Sequence, residues 1–581
     1  MPDPWRSQPH LVALALFGVL ALIIGAPVLG DPTRLALGHP ENDVWNHVWG
    51  YWWVSTELWR GELPVHTPLL NWPGGGSLWF IDAFNVVATL PVNYLFGPVA
   101  AYNLAVIGNF LFCGLGAYAL TLRVTGFYAA ALLGGVAWMT SPHLLGQAYN
   151  GISETLSAGW LPLALLFARE AVAEARPREA ALGGLVLGVT ALANWYYGLF
   201  AGLCVTGLLI RAALWRRPPG GVGRWLLALF LYGATAGLIV AGPFSLFFQT
   251  MDAADAVVTR DPDFVWATLI LHNMTDVVSM VRPGKHYSPD LLRVFGEHLI
   301  VVVYVGASIL VPALLAPLVV RKSALRGWAL MAGFFGLLTL GPFLYIGGDY
   351  VQVMERWIPL PFLALFQWFP LFSRISHAYR CVMGLTLGLI LLMGLFLRGA
   401  RQRGWPAGAL ALGLGLARVA ESFWGSPAVF PLPAARFDPP PIYAALTGGA
   451  VLDLPVGVPV LSRSSIVAYQ IVHQQPIPYG LNDPTPPVLY YNRFTQYLLE
   501  LERDTVTLLP ARAPLLDIAL GRQAAMDAGL RWVVLHKDRF PASQLEKVSA
   551  FLDRAATARY DDERVRVYEL VASDAGSRSA K

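Results

Sequence analysis

Glu41, Asp43 and His47 stand in the stretch "GHPENDVWNHVWGYWW" (residues 38–53), directly after an apolar run at 11–30 that is long enough to cross a bilayer. Carboxylates and an imidazole in such a place can move protons, hold a cation or bind a polar substrate. Wound as a helix, the stretch separates into two stripes. Asp43, Asn46, His47 and Gly50 share one face, while Trp45, Trp49 and Trp52 lie roughly opposite. The tryptophans read most simply as headgroup-level anchors. Asp43 reads otherwise, because a second outward loop, "SPHLLGQAYNGISET", carries His143, Asn150 and Glu154 at the same level. A hollow lined by both loops would gather carboxylates at the membrane surface, where they mark a functional site.

Outward loops beside spans should be poor in arginine and lysine. Yet "SRISHAYRC" holds Arg374, His377 and Arg380 at a three-residue spacing that sets them on one flank of a helix, and "VRPGKHY" holds Arg282, Lys285 and His286. Two readings stand for these cations: snorkelling or internal ion pairs, and charge-assisted binding of a lipid phosphate. Glu41, Asp43, His47 and Glu154 are hard or borderline ligands, which leaves a divalent ion such as Mg2+ or Mn2+ open. Two carboxylates on one loop, without a third fixed ligand, do not call for a metal. The chain has no P-loop, no G-x-G-x-x-G between strand and helix, no H-E-x-x-H and no paired C-x-x-C. A soluble nucleotide donor is not expected outside the cytoplasm, so an activated substrate should arrive through the lipid.

The elements that must position these groups follow from composition. Of 581 residues 56% are hydrophobic and 13% charged, too apolar for a soluble protein of this size. The expected fold class is an α-helical polytopic membrane protein, with about eleven transmembrane helices near 11–30, 100–122, 126–141, 156–174, 180–194, 197–214, 224–247, 298–320, 327–346, 381–398 and 404–420. Arg6, Arg123, Arg176, Arg178, Arg216, Arg217, Arg224, Arg321, Lys322, Arg326, Arg398, Arg401 and Arg403 all fall on one side of these spans. That asymmetry puts the N-terminus in the cytoplasm and the C-terminal part outside, with large outward loops at 31–99, 248–297 and 347–380. The net charge of +4 is scattered in short clusters, which argues against a nucleic-acid partner. Cys113, Cys204 and Cys381 all sit in apolar runs, so no disulfide framework is expected.

Residues 1–420 thus read as the membrane domain. A Pro-rich linker is expected over 421–445 and a soluble extracytoplasmic α/β domain over 446–572. In that domain "GAVLDLPV", "LRWVVLHKD" and "VRVYEL" read as strands, and "ASQLEKVSAFLDRA" as a helix. Its His473, Asp483, His536 and Asp538 lack a repeated ligand spacing and read as surface or strand-end residues. The tail 573–581 is expected to be disordered.

An early acid in the first outer loop, many further spans and an outward C-terminal domain resemble the GT-C class of membrane glycosyltransferases, which use polyprenyl-phosphate sugars. More closely, "PENDVWNHVWGYWW", "LFGPVAAYNLAV", "WLPLALLF", "LANWYYGLF", "LTLGPFLYIGG", "IPLPFLALFQWFPLFSRISHAYR" and "LRWVVLHKD", in that order, resemble a bacterial glycosyltransferase-39-like group related to protein O-mannosyltransferases. The resemblance implies a hexosyltransferase of the bacterial inner (plasma) membrane. It would move a sugar from a polyprenyl-phosphate donor to a hydroxyl of a glycan, lipid or protein acceptor, on the extracytoplasmic side. Asp43 falls where the class carries its first-loop catalytic acid. The class typically shows an Asp-Glu pair there, whereas this chain reads Glu41-Asn42-Asp43, so Glu41 and Asp43 both stand for that role, with Glu154 as a further catalytic carboxylate. The leaving phosphate would be met by Arg374, Arg380 or Lys285, with His47, His143, His286 and His377 as further binding groups. Trp72 and Trp79 flank "PGGGSL", where stacking on a sugar ring stands beside the plainer reading of either one as a membrane anchor. A transporter or flippase of lipid-linked saccharides, and a non-catalytic assembly component, are the competing readings.

Overall fold

The computed structural model describes residues 7–215, 221–258, 262–285, 298–458, 462–481, 486, 488–503 and 513–571. Apolar runs become helices because a buried backbone must satisfy its own hydrogen bonds. In chain order the first ten α-helices are α1 (Ser7–Gly25), α2 (Val44–Arg60), α3 (Ala83–Phe96), α4 (Pro98–Thr125), α5 (Tyr128–Met139), α6 (Pro142–Asn150), α7 (Trp160–Glu174), α8 (Pro177–Ala193), α9 (Trp195–Trp215) and α10 (Val222–Met251). Four helical stretches, Pro9–Val28, Pro98–Thr125, Val222–Met251 and Ala378–Gln402, are long and apolar enough to cross a membrane by length and composition. The other expected spans are shorter helices or composites.

The expected span at 298–320 is not one helix. Residues 298–306 form neither helix nor strand and only Ala307–Val319 is helical. Gly306, at φ +100°, separates the two parts. The irregular part is rich in β-branched residues, and protein side chains meet its backbone. Asn150 accepts from the Ile300 amide and donates to the Ile300 carbonyl, both at 2.9 Å. Arg418, fully buried, donates to the Val305 carbonyl at 2.8 Å. Irregular backbone at this depth is tolerated because it is enclosed by protein. The run expected over 327–346 likewise ends early: Lys322–Thr339 is helical, and the chain then forms two short hairpins, Tyr345–Ile346 with Asp349–Tyr350 and Gln352–Val353 with Arg356–Trp357.

The segment 421–445, expected to be a linker, is packed into the rest of the chain. Strand β1 (Leu35–Leu37) pairs antiparallel with Ala434–Arg436. Glu421 accepts from the Tyr304 hydroxyl at 2.8 Å and the Ala307 amide at 2.6 Å. Beyond it lies a four-stranded sheet in which Leu530–His536 sits between Ala450–Leu454, parallel, and Val565–Glu569, antiparallel, with Thr557–Asp561 at the edge. His536, expected at a surface or a strand end, closes its strand and is buried, 2.9 Å from Asp453, which also accepts from the Tyr443 hydroxyl. His473 is buried as well. Asp483 lies outside the described residues, as does the tail from 572.

Helix α2 departs from the expected two-faced helix, because Trp45 and Trp49, expected at the headgroups, are enclosed by protein, while Trp52 is half-buried and Trp59 exposed. Trp45, Trp49 and Trp53 are buried, Trp49 and Trp53 stack with centroids 5.5 Å apart, and the Trp49 indole N–H donates to Gln470 Oε1 at 2.7 Å. Ser464 Oγ donates to the Asn42 carbonyl at 2.9 Å. The C-terminal part therefore caps α2, and the large indoles supply the apolar area of that contact.

Candidate active site

The start of α2 is fixed by a close backbone approach. Gly151 ends α6 at φ +78°, and a Cβ there would stand 2.5 Å from the Val44 amide nitrogen, so only glycine fits. The His39 amide donates to the Tyr149 carbonyl at 2.8 Å and the Asp43 amide to the Asn150 carbonyl at 3.0 Å. This joint holds Asp43 at the N-terminal end of α2, where Asn46 Nδ2 donates to Asp43 Oδ1 at 2.9 Å.

Asp43, Asn46 and His47 open into a cavity of about 610 Å³ whose other walls come from α8, α9, α10 and the segment 371–375. Arg374 lines the same cavity. It lies 3.4 Å from Asp252, just past the end of α10, and over the Phe248 ring. The lining residues of α10 run from Ala236 to Met251, about 22 Å of helix at 1.5 Å per residue. No charged residue of α8, α9 or α10 lines the hollow, and Asp43 is its sole lining carboxylate among the described residues. The cavity is thus a long apolar groove with an acid, an imidazole and a guanidinium at the end where α10 finishes. Trp79 also lines it.

Behind His47 lies a buried ionic cluster. His47 Nε2 is 3.5 Å from Glu154, and Glu154 is 3.6 Å from Arg380. His47 Nδ1 shares Ser153 Oγ, at 2.9 Å, with Asp82, which is fully buried and also accepts from Tyr51 and Asn85. Burial alone would lower the His47 pKa. The hydrogen-bonded Asp82 carboxylate, with Glu154 and Asp43, outweighs burial and raises it to about 9. His47 is therefore a cation at neutral pH and acts there as a donor, not a base. A folded-state value above the free imidazole's 6.5 stabilises the fold below that pH, and the gain is lost as pH climbs to about 9. His47→Gln should flatten the fall in melting temperature across that window; an unchanged pH slope would mean the folded imidazole is neutral.

The remaining sequence-derived residues are placed as follows. Glu154 and Arg380 stand one layer behind the cavity wall, through His47 and through Tyr196, over whose ring Arg380 lies at 4.9 Å. His377 is 3.5 Å from the Tyr196 hydroxyl. Glu41 turns away to His298, at 2.7 Å. His143 is buried in α6 against the Val302 carbonyl at 2.9 Å, and burial pushes its pKa down to about 4, so it is neutral and structural. Lys285 caps the Phe423 and Ala428 carbonyls. Trp72 is buried, and its indole donates to the Ala528 carbonyl at 3.0 Å, so its ring is a docking point for the C-terminal part and no sugar platform. His286 lies outside the described residues. Glu41, Asp43, His47 and Glu154 are not drawn to one point: Asp43 bonds Asn46, His47 is held between Asp82 and Glu154, and Glu41 pairs elsewhere. These four do not fit a single hard cation. Asp82 escapes a reading of the sequence, since a lone aspartate before an apolar helix looks like an ordinary cap.

No family model matches the chain, and no curated protein matches it. Among solved structures it is similar to arabinofuranosyltransferase AftD from Mycobacteria, with a TM-score of 0.54 and 14% identity over 97% of this chain and 40% of that one. A second AftD structure gives a TM-score of 0.55, also at 14% identity, over 97% of this chain and 42% of that one. The chain spans about two fifths of AftD's length. The archaeal oligosaccharyltransferase AglB from Archaeoglobus fulgidus overlaps less closely, with a TM-score of 0.43 and 11% identity over 98% of this chain and 75% of that one. At this identity the likeness to AftD is one of fold, and it extends over nearly the whole of this chain.

Proposed function

We propose that the chain is an integral membrane glycosyltransferase that moves a sugar from a polyprenyl-phosphate donor to an acceptor hydroxyl on the extracytoplasmic side of a bacterial inner membrane. The observation that carries this reading is the single cavity in which Asp43, His47 and Arg374 meet an uncharged groove along α9 and α10. A polyprenyl chain suits the groove, a phosphate suits Arg374, and the sugar then lies against Asp43. The shared fold with AftD, by its name a glycosyl-transferring enzyme, agrees with the reading.

Asp43 takes the proton of the acceptor hydroxyl as that oxygen attacks the anomeric carbon. A carboxylate is a weak base towards a free hydroxyl, and it suffices when proton transfer is late. Negative charge grows on the departing phosphate as the carbon–oxygen bond breaks, and Arg374 and protonated His47 stabilise it. No covalent enzyme intermediate is required. Tyr196, braced by Arg380 and His377, supports the wall between the two charged groups.

The test is sugar transfer from a radiolabelled polyprenyl-phosphate sugar by the purified chain in lipid nanodiscs. Arg374→Gln should lower kcat/KM about tenfold, because its side chain is 42% exposed and water screens part of its charge. Arg374→Lys should recover part of the loss. A wild-type chain that binds the donor lipid yet releases no sugar with any acceptor would end this reading in favour of transport or assembly.

A further inference from the structure

We infer that His39, Glu41 and His298 form a binding site for a first-row transition-metal ion of the Zn2+ class, separate from the cavity. Their ligand atoms all lie within 4.8 Å of one another. Glu41 Oε2 is 2.7 Å from His298 Nε2, and the His39 and His298 rings stack at 4.6 Å with 29° between planes. The backbones that carry them are tied together. The His39 amide bonds the Tyr149 carbonyl at 2.8 Å, and Asn42 Nδ2 donates to the His298 carbonyl at 3.2 Å and to Asn150 Oδ1 at 3.4 Å. Three donors on pinned backbone are pre-organised, so little ordering remains when an ion enters.

The donor set selects the ion. Two imidazoles and one carboxylate suit Zn2+ and its neighbours, whereas Mg2+ and Ca2+ favour all-oxygen shells. The Glu41 side chain is 50% exposed and that of His298 36%, which leaves room for water in a fourth position. The long contact from the Glu41 amide to His39 Nδ1, 3.2 Å, is the hydrogen bond that capture of the ion would replace if this nitrogen is the ligand. The ion would clamp residues 39–41, just before Asp43, to the irregular segment that begins at His298. Glu41 would then serve as a ligand and not as a base.

The experiment uses the full chain purified through a histidine-free tag, stripped with EDTA and titrated with ZnCl2 by calorimetry, with cobalt(II) absorption as a second probe. One Zn2+ per chain is expected, unaffected by millimolar Mg2+. His39→Ala and His298→Ala should each weaken binding by about tenfold or more, since each removes one of three bonds. The cobalt spectrum of the wild type should show visible d–d bands without thiolate charge transfer, a readout that needs no variant. An absence of stoichiometric binding, which would leave Glu41 and His298 as a plain ion pair, or an affinity unchanged in both histidine variants, would overturn the site.

Discussion

Asp43→Asn should lower sugar transfer by about 10²–10⁴-fold, the range for losing a positioned general base, while the melting temperature stays at the wild-type value. Fold and function separate at this residue because its structural bonds survive the change. The Asp43 amide still donates to the Asn150 carbonyl, the Asp43 carbonyl still accepts from the His47 amide at 3.1 Å, and an amide oxygen can accept from Asn46 as the carboxylate does. What disappears is the one carboxylate on the cavity wall among the described residues. His47 does not substitute, since Asp82 and Glu154, which stay in place, still raise its pKa. Glu41→Gln is the matched control and should leave transfer within a few-fold of wild type, because Glu41 faces His298. If Asp43→Asn turns over like the wild type, the base lies elsewhere.

The second large effect concerns the groove. Gly202 and Gly237 both line it, and a Cβ at either would meet nothing within 4 Å. A phenylalanine side chain at either position starts in open space, and it improves helix propensity relative to glycine. A tail displaced from the groove returns to bilayer hydrocarbon and not to water, so what it loses is packing against the wall, about 0.1–0.2 kcal/mol per atom pair. Ten lost contacts amount to roughly tenfold in kcat/KM at about 1.4 kcal/mol per decade. Gly202→Phe/Gly237→Phe should therefore lose about tenfold with a long polyprenyl donor and less with a short-chain analogue. Equal losses with both chain lengths would show that the tail does not use this groove.

Much of the helical framework is legible in the sequence, since apolar length alone marks α1, α4, α9 and α10. The stretch "IVVVYV" at 300–305 is not, because a short apolar run reads alike as helix or strand, and here Asn150, 150 residues away, decides the matter. The candidate site was legible in part. Asp43 and Arg374 stand out by residue type and outward level, but nothing in their spacing separates Arg374 from Lys285 or Arg380; the fold does so, by turning Lys285 onto two carbonyls and Arg380 onto Glu154. Trp72 looks like a sugar platform until Ala528 arrives from 456 residues downstream. Contacts of that separation leave no trace in a local window.

The capping of α2 by Gln470 and Ser464, 421 residues from Trp49 and 422 from Asn42, sets a schedule for biogenesis. A ribosome adding roughly 5–20 residues per second finishes the acid-bearing helix tens of seconds before the strut that seats it has been synthesised. A nascent chain halted before that strut would carry every group that lines the cavity save Leu481 and yet hold α2 without its brace. On the proposed reading the newborn chain would then stay idle until its last portion has docked.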